Sequence, residues 1–403
     1  MSNYVVWLLI VSFWFIAAMQ SSGVVEYFAK KLLGLSFVKK GPYILMFLFL
    51  FAAWLISIFA QAAIAVTVIL LALLKSVSEE LKLKKHNTWT ALTGLGIGLF
   101  SLLGVMVLPF NANTVTTTSV IGASFGVTNM PAYGPYVIYM LLFQIIGMVL
   151  FVLISKYLIR PKVNFDELKK LSVVGNGKKE KMSGPVKHAI VGIIAVVVIM
   201  FLPVVFPADS IVSSLCNRFG VAGAFAVAIV IMCFARNEEG HYVFNFGTAV
   251  RDAVHWDIVL YTALLLYFAN FLNLEETGIP QIFSVISAPL ANMSPFMVIC
   301  ILSLLMTILT NVMNNFVTAL LFAPIGFGAI GLDNPYSAML MLMVLVSTYL
   351  SIALPPSSST AIILHADRDM FTSKQLIGYG YFFCMFLCII ALVLLYFMQG
   401  LFL

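Results

Sequence analysis

The chain alternates long apolar runs with short polar ones, and three polar clusters fall inside the apolar runs, where a plain lipid-facing helix would not carry them. Leu309 to Phe327 (LTNVMNNFVTALLFAPIGF) holds Asn311, Asn314 and Asn315, Pro109 to Thr118 (PFNANTVTTT) holds Asn111, Asn113 and Thr114, and the third cluster reads LPPSSST from Leu354. In hydrocarbon every polar group needs a partner, so these residues should face protein, a water-filled cavity or a ligand. The first cluster predicts a re-entrant helical hairpin broken at Asn314-Asn315. A helix that restarts after such a break points unbonded N–H groups and the positive end of its dipole at whatever precedes it, which makes an anion site without a charged residue.

The surrounding runs predict the remaining elements. Tyr4 to Met19 is a short spanning candidate. Gly23 to Ser36 places Glu26, Lys30 and Lys31 among apolar residues at helix spacing, which suits the membrane interface. Pro42 to Leu74 is apolar except for Ser57, Gln61 and Thr67, and forms either one span or the two arms of a hairpin broken near Gln61 to Thr67. Lys75 to His86 reads as a charged loop, and Trp89 to Leu108 as a span whose glycines allow close packing. Tyr133 to Leu158 spans again, before the hydrophilic segment Arg160 to Lys187. Further spans are predicted at His188 to Phe206 and Ile211 to Ala235, followed by an amphipathic piece from Asn237 to Trp256 and an apolar run from Asp257 to Leu274. Met293 to Ile330 contains the hairpin, Pro335 to Leu354 leads into the third break, and Gln375 to Leu403 is the last span.

Composition excludes an ordinary soluble domain: 62% of residues are hydrophobic and 9% charged, with a mean hydropathy of +1.07. The net charge of +6 comes from basic residues in short loops, which act as topology signals and not as a nucleic-acid surface. With Arg160 to Lys187 placed in the cytoplasm, every Lys and Arg except Arg218 falls on the cytoplasmic face, while the outer loops hold Asp209, Glu275, Glu276 and Asp333. Met1 and Leu403 then lie outside, and the expected location is a bacterial inner membrane.

Enzyme chemistry finds no support. GASFG at Gly122 to Gly126 matches a nucleophile-turn pattern, but lacks the strand-to-helix context and the His partner. The five histidines form no zinc-protease motif, and the five cysteines have no ligand-like spacing. Arg251, Asp252, His255 and Asp257 fit a cytoplasmic interface, and the scarcity of deep ionisable residues argues for sodium over proton coupling.

The chain also repeats itself. Met19 to Gly34 aligns with Asn273 to Ala288, pairing Gly23 with Gly278, and Val107 to Val120 aligns with Ala353 to Leu364, pairing Pro109 with Pro355 and Thr114 with Thr360. The reading is an all-α polytopic membrane protein of two inverted repeats, each with a re-entrant hairpin and a broken transmembrane helix. Residues 1–159 form the first repeat, 160–187 a basic linker and 188–403 the second repeat. The first repeat lacks the leading helix pair of the second, which reads as an N-terminally incomplete gene product.

With these features the chain resembles the ion transporter superfamily, and most closely its divalent anion:sodium symporters. Asn315 falls on the asparagine of that family's Ser-Asn-Thr hairpin motif, and Pro355 and Pro356 fall on its later Pro-Pro pair. Leu354 stands for the family threonine there, and the first half departs further. The resemblance implies a secondary active transporter for a small di- or tricarboxylate-like anion, coupled to sodium, working as a homodimer in the bilayer by alternating access and needing no other cofactor. It implies that Asn314, Asn315, Thr318 and the following N–H groups hold a carboxylate while Pro355, Pro356, Ser357 and Ser358 close the pocket. Gln61, Thr67, Asn111, Asn113 and Thr114 are the weaker first-half counterparts, and Asn311, Asn315 and Ser57 the candidate sodium ligands. A cation:proton antiporter of the same superfamily and a non-transporting fragment are the alternatives.

Overall fold

The computed structural model describes residues 4–33, 40–109, 111–125, 131–163, 182–207, 210–254, 256, 259–260, 263–264 and 275–402. The described residues are helical throughout, apart from connecting turns and one isolated bridge between Arg236 and Tyr242. Among them, five helices are long and apolar enough to cross a membrane, or six if the bent pair at the N-terminus counts as one span. The protein is an all-α polytopic membrane protein.

That pair is α1 (Tyr4–Ser21) and α2 (Val24–Leu33), bent by 55°. Gly23 makes the bend at φ +71°, a conformation that costs a residue with a side chain but not glycine. Glu26 in the first turn of α2 and Lys30 and Lys31 in the last oppose its dipole. The same device recurs in the second half, where Gly278, also at φ +71°, opens α10 (Ile279–Ser287). The alignment of Gly23 with Gly278 thus has a conformational basis.

After α2 the chain forms α3 (Pro42–Ala60), a two-residue break, and α4 (Ala63–Glu80), followed by α5 (Thr88–Val105). Hydrogen bonds fix their arrangement. Trp89 Nε1 donates to Pro42 O (3.1 Å), and the hydroxyls of Ser78 and Thr90 meet at 3.2 Å, so the start of α3 and the end of α4 both lie at the start of α5. At the other end of α5, Gly104 sits against the Trp54 carbonyl so closely that a Cβ would come to 2.5 Å from that oxygen. The α3–α4 pair is therefore a hairpin, with α3 parallel to α5. Helix α4 continues to Glu80, beyond the apolar run that ends at Leu74, because buried Val77 and Leu81 extend its packed face while Lys75 and Glu79 point outward.

The second half repeats the arrangement. Helices α11 (Pro295–Thr310) and α12 (Asn315–Ile330) are joined by a break at 311–314, three residues earlier than the sequence reading placed it, because Asn311 already ends α11 as its C-cap. Helix α13 (Tyr336–Tyr349) follows. Gly326 packs against both Leu302 and Leu340, and Gly328 against Ser287, just ahead of α11. The tip lies at the far end of α13, where Thr310 bonds the Thr348 carbonyl. Helices α5 and α13 are the two central helices: every residue from Trp89 to Val105 and from Ser337 to Tyr349 is buried.

Each central helix breaks and restarts. After α5 the chain resumes as α6 (Ala112–Phe125), and after α13 as α14 (Ser359–Ala366). The restarts cross over: α6 packs on α12, and α14 packs on α4 and α5. Each half closes with a long helix, α7 (Tyr133–Ile154, continuing as a π-type turn Ser155–Ile159) and α15 (Ser373–Met398), tied together where Tyr139 Oη donates to Ala391 O (2.7 Å). Helix α15 starts two residues before the predicted Gln375 because Thr372 and Gln375 cap each other reciprocally.

The helices α8 (Gly184–Val205) and α9 (Ile211–Cys233) follow the linker in sequence but pack on α1 and α2 of the first half, with Phe15 stacked on Phe225 at 4.6 Å. The predicted amphipathic piece from Asn237 is mostly turns, with a short helical stretch from Phe246 to Ala253. His255, Asp257, the linker residues 164–181 and most of the apolar run to Leu274 lie outside the described residues.

Candidate functional site

The polar clusters gather where the second hairpin tip meets the break after α13. Asn311 is fully buried at the centre. Its amide nitrogen donates to Thr307 O (2.8 Å) and Leu350 O (2.7 Å), and its amide oxygen accepts from Ile352 N (3.0 Å) and Ala353 N (2.8 Å). All four hydrogen-bonding positions of the side chain are filled. One residue thus satisfies backbone groups that the broken helix leaves open, and no acceptor remains on Asn311 for a sodium ion in this conformation.

Asn111 plays the matching part at the other break. Its amide nitrogen donates to Val105 O (2.8 Å) and Thr114 Oγ1 (2.7 Å), while its oxygen accepts from Thr114 N (2.9 Å), capping α6. The hydroxyl of Tyr349, at the end of α13, reaches the same oxygen at 3.5 Å. The two breaks therefore adjoin. Ser358 caps α14 in the role that Asn111 has for α6, its Oγ accepting from Ala361 N (3.2 Å) and donating to Ser351 O (2.6 Å). This pairs Asn111 with Ser358, one residue on from the register read in the sequence, since the cap sets the register of a restarting helix and the prolines do not.

What is left open lies beside these braces. Asn314 caps α12, its side-chain oxygen accepting from Phe316 N (2.9 Å), so the N–H groups of Asn315 and Val317 have no bond among the described residues. Half-buried Asn315 accepts from Thr310 Oγ1 (3.2 Å), and its amide nitrogen is uncommitted. At α14 the N–H groups of Ser359 and Thr360 are likewise open. Thr318 is buried and bonds back to Asn314 O (3.1 Å). Pro355 and Pro356 are exposed, and Ser357 is buried with its hydroxyl on Leu354 O (2.6 Å). No Lys, Arg, Asp or Glu occurs from Val105 to Thr118, from Ser303 to Phe327 or from Val344 to Leu364. Such a surface of N–H dipoles can hold an anion by direct donation and cannot carry out covalent chemistry.

The first hairpin tip is different. Gln61, in the left-handed region at φ +52°, folds its side chain back onto Ile58 O (2.7 Å). Beside it a void of about 10 Å³ lies among Phe15, Leu108, Ile193 and Phe225, at the lower limit for one water. Ser57 and Thr67 are buried, and their hydroxyls have no hydrogen-bond partner among the described residues. The side chain of Asn113 is outside the described set.

This geometry can be set beside known proteins. A family model described as citrate transporter (CitMHS) matches residues 1–330. The chain belongs to the citrate transporter family. It is accordingly an integral membrane protein and a secondary transporter of anions, not an enzyme. The resemblance to anion permeases of the ion transporter superfamily holds at this level. Among solved structures, the YdaH transporter of Alcanivorax borkumensis, reported to have an unusual topology, matches at a TM-score of 0.61. The match covers 98% of this chain and 85% of the other at 16% identity, so it shows a shared fold. Nothing among the curated proteins matches.

Within this citrate transporter family member, the structure brings together Asn311, Asn314, Asn315, Thr318 and the Pro355–Ser358 segment, and joins Asn111 and Thr114 to them through Tyr349. Ser57 packs on Gly104, next to the Val105 carbonyl that Asn111 bonds, while no side-chain bond among the described residues joins Gln61 or Thr67 to this group. Sequence reading missed Thr310, Tyr349 and Ser351, which look like ordinary spanning residues. It also passed over His365, whose ring Nε2 is 3.0 Å from Ala353 O, directly beside the Asn311 bonds. Its place five residues after LPPSSST was the one available signal.

Proposed function

We propose that the protein moves citrate or a related di- or tricarboxylate across a bacterial inner membrane, coupled to sodium, by alternating access. In this reading the two hairpins are re-entrant, the two halves are inverted repeats and the working unit is a homodimer. A carboxylate sits against the open N–H groups of Asn315, Val317, Ser359 and Thr360 and the Asn315 amide, with Thr318 and Pro355–Ser358 shaping the pocket. The observation that carries this reading is the Asn311 junction. It ties the hairpin tip, from which α12 starts, to Leu350–Ala353 in the break that precedes α14, in a region without formal charge.

The absence of a fixed cation there leaves a multiply charged anion short of neutralisation, and bound sodium supplies it. Asn315 Oδ1 and the unpartnered Ser57 and Thr67 hydroxyls are the oxygens available as ligands, one set in each half. Asn311 and Asn111 act as braces and not as ligands. His365 favours a second reading of the coupling ion, since its ring nitrogen bonds Ala353 O at the break.

Uptake of labelled citrate, succinate and sulfate into proteoliposomes, with and without a sodium gradient, tests the proposal. Sodium-driven citrate uptake that falls at least about tenfold in Asn315→Ala, the loss of about 1.4 kcal/mol of binding, is the expected result. Uptake driven equally well by a proton gradient, and abolished in His365→Ala, selects the second coupling ion. Sulfate uptake without citrate uptake overturns the substrate assignment.

A further inference from the structure

On the outer face of α15, where it meets the end of α7, lies an open cavity of about 540 Å³ that transport does not explain. Leu158, Ile159 and Phe382 form its apolar wall, and Lys374 and Gln375 its polar edge. Leu158 is 68% exposed and Phe382 42% exposed, so the wall continues onto the lipid-facing surface. Gly378 also lines it, and a Cβ there would meet nothing within 4 Å. Glycine inside a helix costs about 1 kcal/mol relative to alanine, and here no packing contact requires it. What it preserves is the space.

Among the described residues, the charges on the cavity lining and on the turn that forms its wall are basic. Lys374 stands at its edge, and the turn that supplies Leu158 and Ile159 carries exposed Lys156, Arg160 and Lys162. The nearby carboxylates are committed: Asp369 pairs with Lys85 at 2.9 Å, and Asp367 caps Met370 N. The cavity also sits at the level where polar groups close the helix ends, with Gln375 donating to His86 O (2.8 Å) and Asn87 to Lys162 O (3.3 Å). An apolar wall open to lipid under a basic edge at the interface matches one kind of occupant.

We propose that this cavity binds a phospholipid with an anionic headgroup, its phosphate at Lys374 and an acyl chain along Leu158, Ile159 and Phe382. Two residues from Gly378, on the opposite face of α15, Gly380 packs on Ala353. The lipid therefore lies directly behind the helix that backs the broken segment.

Native mass spectrometry of delipidated protein, titrated with phosphatidylglycerol and with phosphatidylcholine, tests the assignment. Wild type is expected to prefer phosphatidylglycerol by about fivefold, the value of one basic residue at an anionic surface. Lys374→Ala should bring that preference close to unity, and Gly378→Leu should abolish retention of either lipid while thermal unfolding is unchanged. A Gly378→Leu protein that keeps phosphatidylglycerol as wild type does overturns the site. Displacement of the lipid by millimolar inorganic phosphate overturns the choice of a lipid as occupant.

Discussion

The two hairpins have the same outline and opposite anchorage. The second is fastened at its tip, where Asn311 makes three hydrogen bonds to Leu350–Ala353 and Thr310 adds a fourth to Thr348 O. The first has no such fastening among the described residues: Gln61 bonds only its own helix, and the nearby Ser57 and Thr67 hydroxyls are unpartnered. It is held at its base, by Trp89 on Pro42, by Ser78 with Thr90 and by the Lys85–Asp369 pair to the second half, and along α3 by Trp54 Nε1 donating to Gln144 Oε1 of α7 (2.7 Å). A hairpin pinned at the base and loose at the tip can open there. One pinned at the tip must move together with the segment it is pinned to. The two tips therefore differ in how firmly their own bonds hold them.

The sharpest way to break this contrast is Asn311→Ala. It leaves two carbonyls and two N–H groups without partners, a loss of about 3 kcal/mol at typical membrane values. Thermal unfolding in detergent should drop by several degrees and uptake should vanish; an unchanged melting point would show that the second tip is no better held than the first. Thr310→Val keeps the shape but removes the bonds to Thr348 and Asn315, for an expected loss of about 1 kcal/mol and a weaker substrate affinity. At the first tip the sign reverses. Gln61→Gly relieves a left-handed backbone and gives up one local bond, so stability should rise by about 0.5–1 kcal/mol with uptake retained. A loss of uptake there would place Gln61 in direct contact with substrate.

The smallest effect belongs to the base. Lys85 holds the Asp369 carboxyl below its usual value, first through the hydrogen bond and then through its charge. The stability this gives is present above the ordinary value of 3.8 and disappears as pH falls through the lowered one. Melting curves of wild type and Asp369→Asn should therefore differ slightly at neutral pH and converge in strong acid. Because the pair is solvent-exposed, high salt should erase the difference as well.

Much of this architecture is legible in the sequence because membrane helices announce themselves by length and apolarity, and because glycine and proline mark the places where they turn. Gly23 and Gly278 are an instance: their equivalence follows from a shared left-handed turn. The tips were found for the same reason, since adjacent amides in an apolar run need partners. Which partners they take was not legible. Three of the four partners of Asn311 are backbone groups some 40 residues away, and nothing local to Leu350–Ala353 signals that they will arrive. The docking of α8 and α9 on the first half was hidden for a related reason. Two uniformly apolar helices carry no polar mark of the face that packs, and their place in the chain does not reveal that they pack on α1 and α2.

The crossing of α14 onto α4 and α5 has a consequence for how the chain is made. When α4 leaves the ribosome, its partner lies roughly 280 residues downstream, about 15–60 s away at ordinary rates of synthesis. Throughout that interval the first hairpin must wait in the membrane with one flank uncovered. Two of the bonds at its base, Trp89 to Pro42 and Ser78 with Thr90, form within residues 42–90 and are complete long before α14 exists. They give the newborn hairpin a shape to keep until the other half of the molecule arrives.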